Sequence, residues 1–172
     1  MTDTVVVNLG CGSKKAAGEY GVDRYRGSRA DVIAELAEGL PFADHSVDVV
    51  VAEHLLEHVP DLVALMEEIH RVLAPGGCLR IEVPYFSHPD AFRDPTHARF
   101  FTWESLDYFV EGHKPAEYTG VNFLYRRRAL EFGGGLRGAA GRFLFALSPR
   151  RYEKYYAFGF PARVLRVELE AV

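Results

Sequence analysis

A strand-like run that ends in a glycine turn, near the start of the chain, most constrains its fold. Residues 5–9 read VVVNL, and Gly10-Cys11-Gly12 follows directly. A nearly continuous apolar run of this length is typical of a parallel strand that is buried on both faces. Glycines let the backbone turn sharply there and approach a ligand closely. Because ligands of open α/β sheets bind at the carboxyl ends of the strands, this turn is a candidate ligand site.

A Gly-x-Gly pair alone is equally typical of an ordinary turn, so the sequence that follows decides between the two interpretations. Only nine residues separate Gly12 from Val22, and Val22 belongs to a second short apolar segment. A full crossover helix between parallel strands needs roughly a dozen residues or more. Lys15 also stands where a dinucleotide fingerprint has its third glycine. Both features disfavour a nicotinamide or flavin enzyme.

The bulk composition indicates one globular domain. Of the 172 residues 48% are hydrophobic, and the formal net charge is −4. The charge disfavours non-specific binding to nucleic acid or to an anionic membrane surface. Cys11 and Cys78 are too few for a disulfide framework, and no signal peptide or membrane-length run is evident. We expect a cytoplasmic protein with no membrane association.

The pattern predicts alternating strands and helices along the rest of the chain. Short strands are predicted at 20–23 and 31–36, and a nearly all-apolar strand at 47–52. An amphipathic helix begins after Asp61 and is stopped by Pro75-Gly76-Gly77, and a fifth strand covers 78–84. Beyond an aromatic and histidine-rich loop at 85–101, we predict a helix at 102–109, a strand at 116–132, a helical stretch at 143–156 and a last strand at 161–172.

Six sequence blocks occur in an order and spacing that carry a family signature. They are Asn8–Gly12, Gly21–Asp23, Glu35 with Leu40–Phe42, Ser46–Val50, Leu56–Val59 and Arg71–Gly77. With them the chain resembles class I S-adenosylmethionine-dependent methyltransferases, especially the small type-11 group, over about residues 5–84. The resemblance implies an α/β, Rossmann-like methyltransferase fold. Its sheet would have seven mostly parallel strands in the order 3-2-1-4-5-7-6, with truncated first crossover helices.

The resemblance also implies which parts of the chain bind the cofactor and which bind the acceptor. We expect a single methyltransferase domain over 1–172. Its cofactor-binding half would be 1–84, its acceptor loop and helices 85–160, and its last strand 161–172. S-adenosylmethionine would be the cofactor and S-adenosylhomocysteine the product.

The expected cofactor-binding residues lie at the ends of the first four strands. Backbone groups of the glycine turn would face the methionine part, and Asp23 would accept hydrogen bonds from the ribose hydroxyls. Glu35 stands where many relatives have Asp beside the adenine, and Lys14 or Lys15 is a candidate partner of the cofactor carboxylate. The residues implied to bind the cofactor are Asn8, Gly10, Cys11, Gly12, Asp23, Glu35, Leu36 and Glu53.

Three histidines are candidates for a general base. A sulfonium methyl is already electrophilic, so the protein has mainly to align a nucleophile and exclude water. An oxygen or nitrogen nucleophile gains from a base, and histidine suits neutral pH. His54 follows the fourth strand, His88 follows the fifth, and His97 lies in the adjoining loop. We expect one of them to serve, in O- or N-methylation of a small molecule.

The acceptor, the assembly and the role of a metal stay open at the level of sequence. The aromatic residues of the 85–101 loop suit an aromatic, sugar-like or amine acceptor. His54, Glu57, His88, Asp90, Asp94 and His97 offer imidazole and carboxylate ligands, but no two histidines share a long helix, and we expect no metal. We expect a monomer or homodimer. The rival function is a cofactor-binding, non-catalytic partner subunit of another enzyme.

Overall fold

The computed structural model describes residues 4–112 and 119–172. Its sheet has seven strands in the order 3-2-1-4-5-7-6, which confirms the predicted fold class. Strands β1 to β5 run parallel, and β7 is antiparallel to both of its neighbours. The strands are β1 Val6–Leu9, β2 Glu19–Asp23, β3 Val32–Ile33, β4 Val47–Glu53, β5 Leu73–Pro84, β6 Phe123–Phe132 and β7 Ala162–Ala171.

The two most apolar strands lie side by side at the centre of the sheet. Val7 of β1 pairs with Val50 of β4, and Leu9 pairs with Ala52. All four side chains are completely buried. Their burial explains why these segments carry no polar residue on the core face. It also places the glycine turn after β1 beside the end of β4.

The first crossovers are truncated, as predicted. Within the described residues, turns rather than α-helices connect β1 to β2 and β2 to β3, and a 3-10 turn at Leu36–Glu38 precedes β4. The Lys15 ammonium lies 2.6 Å from the Asp31 carboxylate, which also accepts from the Gly21 backbone N–H. This ion pair connects the two short crossovers and takes the place of packed helices.

The helices are α1 Leu62–Val72, α2 Asp90–Arg93, α3 Gly135–Leu147 and α4 Pro149–Tyr155. The Asp61 side chain caps α1 by accepting from the Ala64 N–H over 3.0 Å. Helix α1 buries Leu65, Met66 and Ile69 against the core. Within the part of the chain that the structure describes, no helix is long and apolar enough to cross a membrane.

One face of the β4–β5–β7–β6 region carries charged side chains instead of a packed layer. Along β5, Leu79, Ile81 and Val83 are buried, whereas Arg80 is exposed. Arg166 of β7 bonds Glu82 of β5 over 2.7 Å across that face. This period-two alternation is typical of a sheet with one solvated face.

Several element boundaries differ from the prediction. The fifth strand begins at Leu73 because that residue already pairs with Val47, ahead of a register shift. The predicted helix at 102–109 is a 3-10 helix, Ser105–Phe109. The stretch at 143–156 is two helices, since Ser148 is extended and caps α4 through the Arg151 N–H. The first residues of the predicted strand at 116–132 lie outside the described residues.

Candidate functional site

The glycine turn has a backbone that other residues adopt only with strain. Gly10 and Gly12 have φ values of +65° and +50°. The Gly10 N–H donates to the Val22 carbonyl over 2.8 Å. A Cβ on Gly10 would lie 2.9 Å from Leu55 Cδ1, whereas a Cβ on Gly12 would meet nothing within 4 Å. Gly10 is therefore needed for packing, and Gly12 faces open space at the edge of the sheet.

Asp23 holds this turn from the end of β2. Its Oδ2 accepts from the Gly12 N–H over 2.8 Å, and its Oδ1 accepts from the Tyr25 N–H over 2.8 Å. A carboxylate with two such partners is fixed in orientation, yet each oxygen keeps capacity for another hydrogen bond. The half-buried Asp23 therefore lies beside Gly12, as the sequence led us to expect.

The other candidate cofactor residues are in varied settings. Asn8 is buried, and its amide donates to Glu19 over 2.8 Å, so its side chain is directed toward the start of β2. Cys11 is also buried, and desolvation raises the pKa of its thiol. Glu35 is exposed next to the partly buried Leu36. The Asn8 and Cys11 side chains are thus turned into the protein, and the backbone N–H groups of the turn donate to Val22 and Asp23.

The two lysines of the first crossover, Lys14 and Lys15, lie near different side chains. Lys15 is tied to Asp31, which corrects the expectation that it is available to a cofactor carboxylate. Lys14 lies close enough to His54 for its positive charge to oppose protonation of that imidazole. Lys14 is therefore the lysine on the site edge.

His54 occupies a strained position where β4 ends beside Glu53. Its φ is +52°, which is uncommon for a residue with a side chain. Its Nδ1 lies 3.3 Å from Glu57 Oε1 and its Nε2 lies 3.3 Å from Glu82 Oε1. The hydrogen bond with Glu57 raises the pKa of His54, although partial burial opposes the shift. Two carboxylates therefore fix the ring and favour its protonated form.

A cleft of about 570 Å³ opens beside His54 at the ends of β4 and β5. It is lined by His54, Glu57, His58, Pro84, Asp90, Arg93, Asp94, Pro95 and His97. None of these is Phe, Tyr or Trp, so the aromatic residues that were expected to line the acceptor pocket do not line this cleft. Tyr85 and Phe101 are buried in the core instead, and exposed Phe92 stacks on Phe100.

The structure brings together two of the three predicted base candidates. His97 lines the cleft with His54, and its Nδ1 lies 2.8 Å from the Ala91 carbonyl. His88 lies instead in a separate cavity with Gly133, Gly134 and Arg137. Its Nδ1 accepts from the Asp90 N–H and lies 3.1 Å from the Asp90 carboxylate. His88 therefore does not line the cleft that contains His54 and His97.

Glu57 and His58 line the cleft, although neither was among the cofactor-binding or base candidates predicted from the sequence. Glu57 is 1% exposed, and its Oε2 has no hydrogen-bond partner among the described residues. One ring nitrogen each of His58 and His97 lies within 4.8 Å of a Glu57 carboxylate oxygen and of the other. A signal existed in the sequence, because Glu57 and His58 lie shortly after the predicted strand at 47–52 and His97 lies in the loop after the next predicted strand.

Comparison with known proteins gives two partial sequence relatives. The chain is 37% identical to YafE, an uncharacterised protein of Escherichia coli, over 73 residues, which is 37% of this chain and 35% of YafE. It is 50% identical to a demethylmenaquinone methyltransferase of Chlorobaculum parvum over 48 residues, which is 28% of this chain and 20% of that enzyme. The chain thus spans about a third or less of the length of these relatives.

A family model and a solved structure extend the likeness. The family described as a methyltransferase domain matches residues 12–81. A SAM-dependent methyltransferase from Archaeoglobus fulgidus superimposes with a TM-score of 0.65 at 16% identity, covering 98% of this chain and 86% of that one. These findings confirm the resemblance to class I S-adenosylmethionine-dependent methyltransferases of the type-11-like kind, and the matched domain and the fold both imply S-adenosylmethionine as the cofactor.

Proposed function

We propose that this protein transfers a methyl group from S-adenosylmethionine to an oxygen or nitrogen of a small polar molecule. The observation that carries the proposal is the position of the 570 Å³ cleft, which begins at His54, directly after β4. Gly12 follows β1, which pairs with β4, and Asp23 ends β2 on the other side of β1. Cofactor and acceptor sites would therefore meet at the carboxyl edge of the sheet, where open α/β folds bind ligands.

The residues at this edge fit the cofactor. The space beyond Gly12 is open, and the Asp23 carboxylate is held toward it by two backbone N–H groups. Asp23 would bind the ribose hydroxyls, Glu35 the adenine amino group, and Lys14 the methionine carboxylate. When bound, the cofactor supplies an electrophilic methyl group on a sulfonium, and Glu53 would lie beside it.

His54 is the general base that we propose. It follows Glu53, lines the cleft, and is fixed in orientation by Glu57 and Glu82. When neutral, its imidazole would accept the proton that the acceptor hydroxyl or amine loses as the new bond to carbon forms, and the two carboxylates would stabilise the resulting imidazolium. A base held in one orientation is placed before the reaction, and such positioned proton transfer contributes about 100- to 10,000-fold to rates.

The lining of the cleft supports a polar acceptor. Three carboxylates and one guanidinium surround it, and no aromatic ring other than imidazole takes part. Hydroxyl-rich or amine-bearing molecules find hydrogen-bond and charge partners in such a lining, whereas an extended apolar ring system would leave buried polar groups unpaired. Of the three acceptor classes expected from the sequence, a sugar-like molecule or an amine therefore fits better than an aromatic one.

Calorimetry first tests cofactor binding, and a turnover assay then tests methyl transfer. S-adenosylhomocysteine should bind at one molecule per chain, and NAD should not bind. With a metabolite extract as the acceptor source, we expect His54→Asn to slow product formation by about 100-fold or more. Asn is the matched replacement because it tolerates a positive φ. His88→Asn should leave the rate within about twofold, since His88 lies in a separate cavity outside the site.

Three outcomes would change the interpretation. If neither sulfur cofactor binds, the proposal fails. If the cofactor binds but no extract or acceptor supports turnover, the rival role of a non-catalytic partner subunit is favoured. If His88→Asn rather than His54→Asn abolishes turnover, the base lies in the other cavity.

A further inference from the structure

We infer that Glu57, His58 and His97 form a binding site for a divalent transition-metal ion in the wall of the cleft. The three residues come from two segments, the 3-10 turn Leu56–His58 after β4 and the loop after α2. Two imidazoles with one carboxylate are a ligand set for zinc and related ions, with a further position left for water or a substrate oxygen. The inference goes beyond the proposed function, because metal binding is measurable without methyl transfer.

Hydrogen bonds leave the Nε2 of both histidines available. His97 Nδ1 faces the Ala91 carbonyl at 2.8 Å, and a carbonyl only accepts, so Nδ1 carries the proton. His58 Nδ1 faces Thr96 Oγ1 at 2.9 Å, while that hydroxyl donates its one proton to Asp94 over 2.7 Å. His58 Nδ1 must therefore also be the donor. In each neutral ring Nε2 then has a free lone pair, as in a metal-ligating histidine.

Glu57 completes the set with an oxygen that has no other partner. Its Oε1 faces His54, but its Oε2 is buried and makes no hydrogen bond among the described residues. Burial of an unpartnered carboxylate oxygen is costly. Two imidazole lone pairs and this oxygen are all acceptors, so a bound cation would satisfy the three together.

The scaffold around the three ligands is already fixed. The Glu57 carbonyl accepts from the Ala98 N–H over 2.8 Å and from the Arg99 N–H over 3.2 Å. These bonds attach the segment carrying His97 to the segment carrying Glu57 and His58. One ligand-type atom of each of the three side chains lies within 4.8 Å of the other two. Tetrahedral zinc needs its ligand atoms roughly 3.4 Å apart, so side-chain rotation has to bring them closer by up to about 1.4 Å.

The positive charges nearby do not oppose an ion here. Arg93 lines the same cleft, but its Nη1 is paired with Asp90 over 3.0 Å. Asp94 supports the site from the other side, because it accepts from both the Thr96 hydroxyl and the Thr96 N–H. With the ion bound, His97 is a ligand, and proton acceptance is left to His54.

Titration of the chelator-stripped, untagged protein with Zn²⁺ and with Co²⁺ tests the inference. We expect one ion per chain by calorimetry and visible Co²⁺ d–d bands of a low-coordinate site. His97→Asn and Glu57→Gln should each weaken binding by more than about 100-fold, since even outer partners of a metal site are worth 10- to 100-fold. Thr96→Val, which removes the hydroxyl that links His58 to Asp94, should weaken binding by about tenfold.

Matched controls make the outcome decisive. His45→Asn removes an exposed imidazole outside the cluster, at another positive-φ position, and should leave the affinity unchanged. Cys11→Ser with Cys78→Ser should also retain binding. The inference is overturned if no ion binds, or if the ligand variants, shown to be folded by circular dichroism, bind as tightly as the parent. If no metal binds but S-adenosylhomocysteine still binds, the metal site is refuted while the proposed function stands.

Discussion

The Gly12 backbone N–H donates to the Asp23 carboxylate over 2.8 Å, so the turn after β1 and the end of β2 form one unit. The second oxygen of that carboxylate accepts from the Tyr25 N–H at the same distance. Asp23 therefore arranges the backbone of the site as well as offering acceptors to a ligand. We therefore expect loss of the Asp23 charge to affect ligand binding differently from loss of the other carboxylates in the two short crossovers.

We expect Asp23→Asn to raise the dissociation constant for S-adenosylhomocysteine by about tenfold or more. An amide retains the shape, but it replaces one charge-assisted acceptor by a donor, and such bonds contribute about 1.5–3 kcal/mol. Calorimetry at fixed ionic strength measures the change. Asp31→Asn is the matched control, because Asp31 also accepts a backbone N–H yet is turned toward Lys15. An equal loss of affinity in both variants would contradict a specific role for Asp23.

Alanine at the two glycines of the turn should separate packing from binding. Gly10→Ala adds left-handed strain and a clash with Leu55, so we expect the free energy of unfolding to fall by about 2–4 kcal/mol. Gly12→Ala adds strain alone, about 1 kcal/mol, but places a methyl group in the open space beside Asp23. Urea unfolding and calorimetry together should show a stability defect in the first and a binding defect in the second.

The strands were predictable from apolar runs and turn residues that are visible in the chain, whereas their order in the sheet was implied by the resemblance to a known family. The valine runs of β1 and β4 indicate central strands, and the short gap after Gly12 leaves no room for a helix. The alternation in Cys78–Val83 also encodes the solvated face of β5. Local patterns of this kind depend on neighbours close in sequence, so one sequence suffices to interpret them.

The cleft was only partly predictable because its members meet through tertiary packing. His54 was identified by its position after a strand end and His97 by its place in the adjoining loop, and both line the cleft. His88 follows β5 in the same way, but its bonds with Asp90 hold it in another cavity. The direction of a side chain after a strand end depends on loop hydrogen bonds, which no periodicity in the sequence reports.

The stability of the fold should depend on pH through Glu68. Its carboxylate accepts from the Arg71 guanidinium and from the Leu40 N–H, and these contacts lower the pKa of Glu68 to about 2. A pKa depressed below the unfolded value of about 4.3 stabilises the protein above that pH. The contribution is lost as pH falls from about 5 toward 2.

Glu68→Gln should therefore lower the free energy of unfolding by about 1–2 kcal/mol at pH 7, since the pair is partly screened by solvent. The difference between variant and parent should shrink as the pH falls toward 3 in urea titrations. Glu67→Gln, on the exposed side of α1, should change the free energy by less than about 0.5 kcal/mol. A pH-independent difference for Glu68→Gln would mean that lost packing, not charge, causes the effect.

The Tyr152 hydroxyl should be among the most costly single atoms to remove. It donates to the Phe160 carbonyl over 2.8 Å and accepts from the buried Ala162 N–H over 3.1 Å, where β7 begins. Tyr152→Phe keeps the ring but leaves both backbone groups without a partner. We expect the free energy of unfolding to fall by about 2–4 kcal/mol, because each orphaned group costs roughly 1–3 kcal/mol.

Tyr155→Phe is the matched control for this change. Tyr155 lies one turn further along α4 and is 65% exposed, so loss of its hydroxyl should alter stability by less than about 0.5 kcal/mol. Because Tyr152 ties the end of α4 to the first residue of β7, its loss should also speed amide exchange at Ala162 ahead of global unfolding. Equal stabilities of the two variants would mean that water replaces the hydroxyl, and that the start of β7 is held by its pairing with β6 alone.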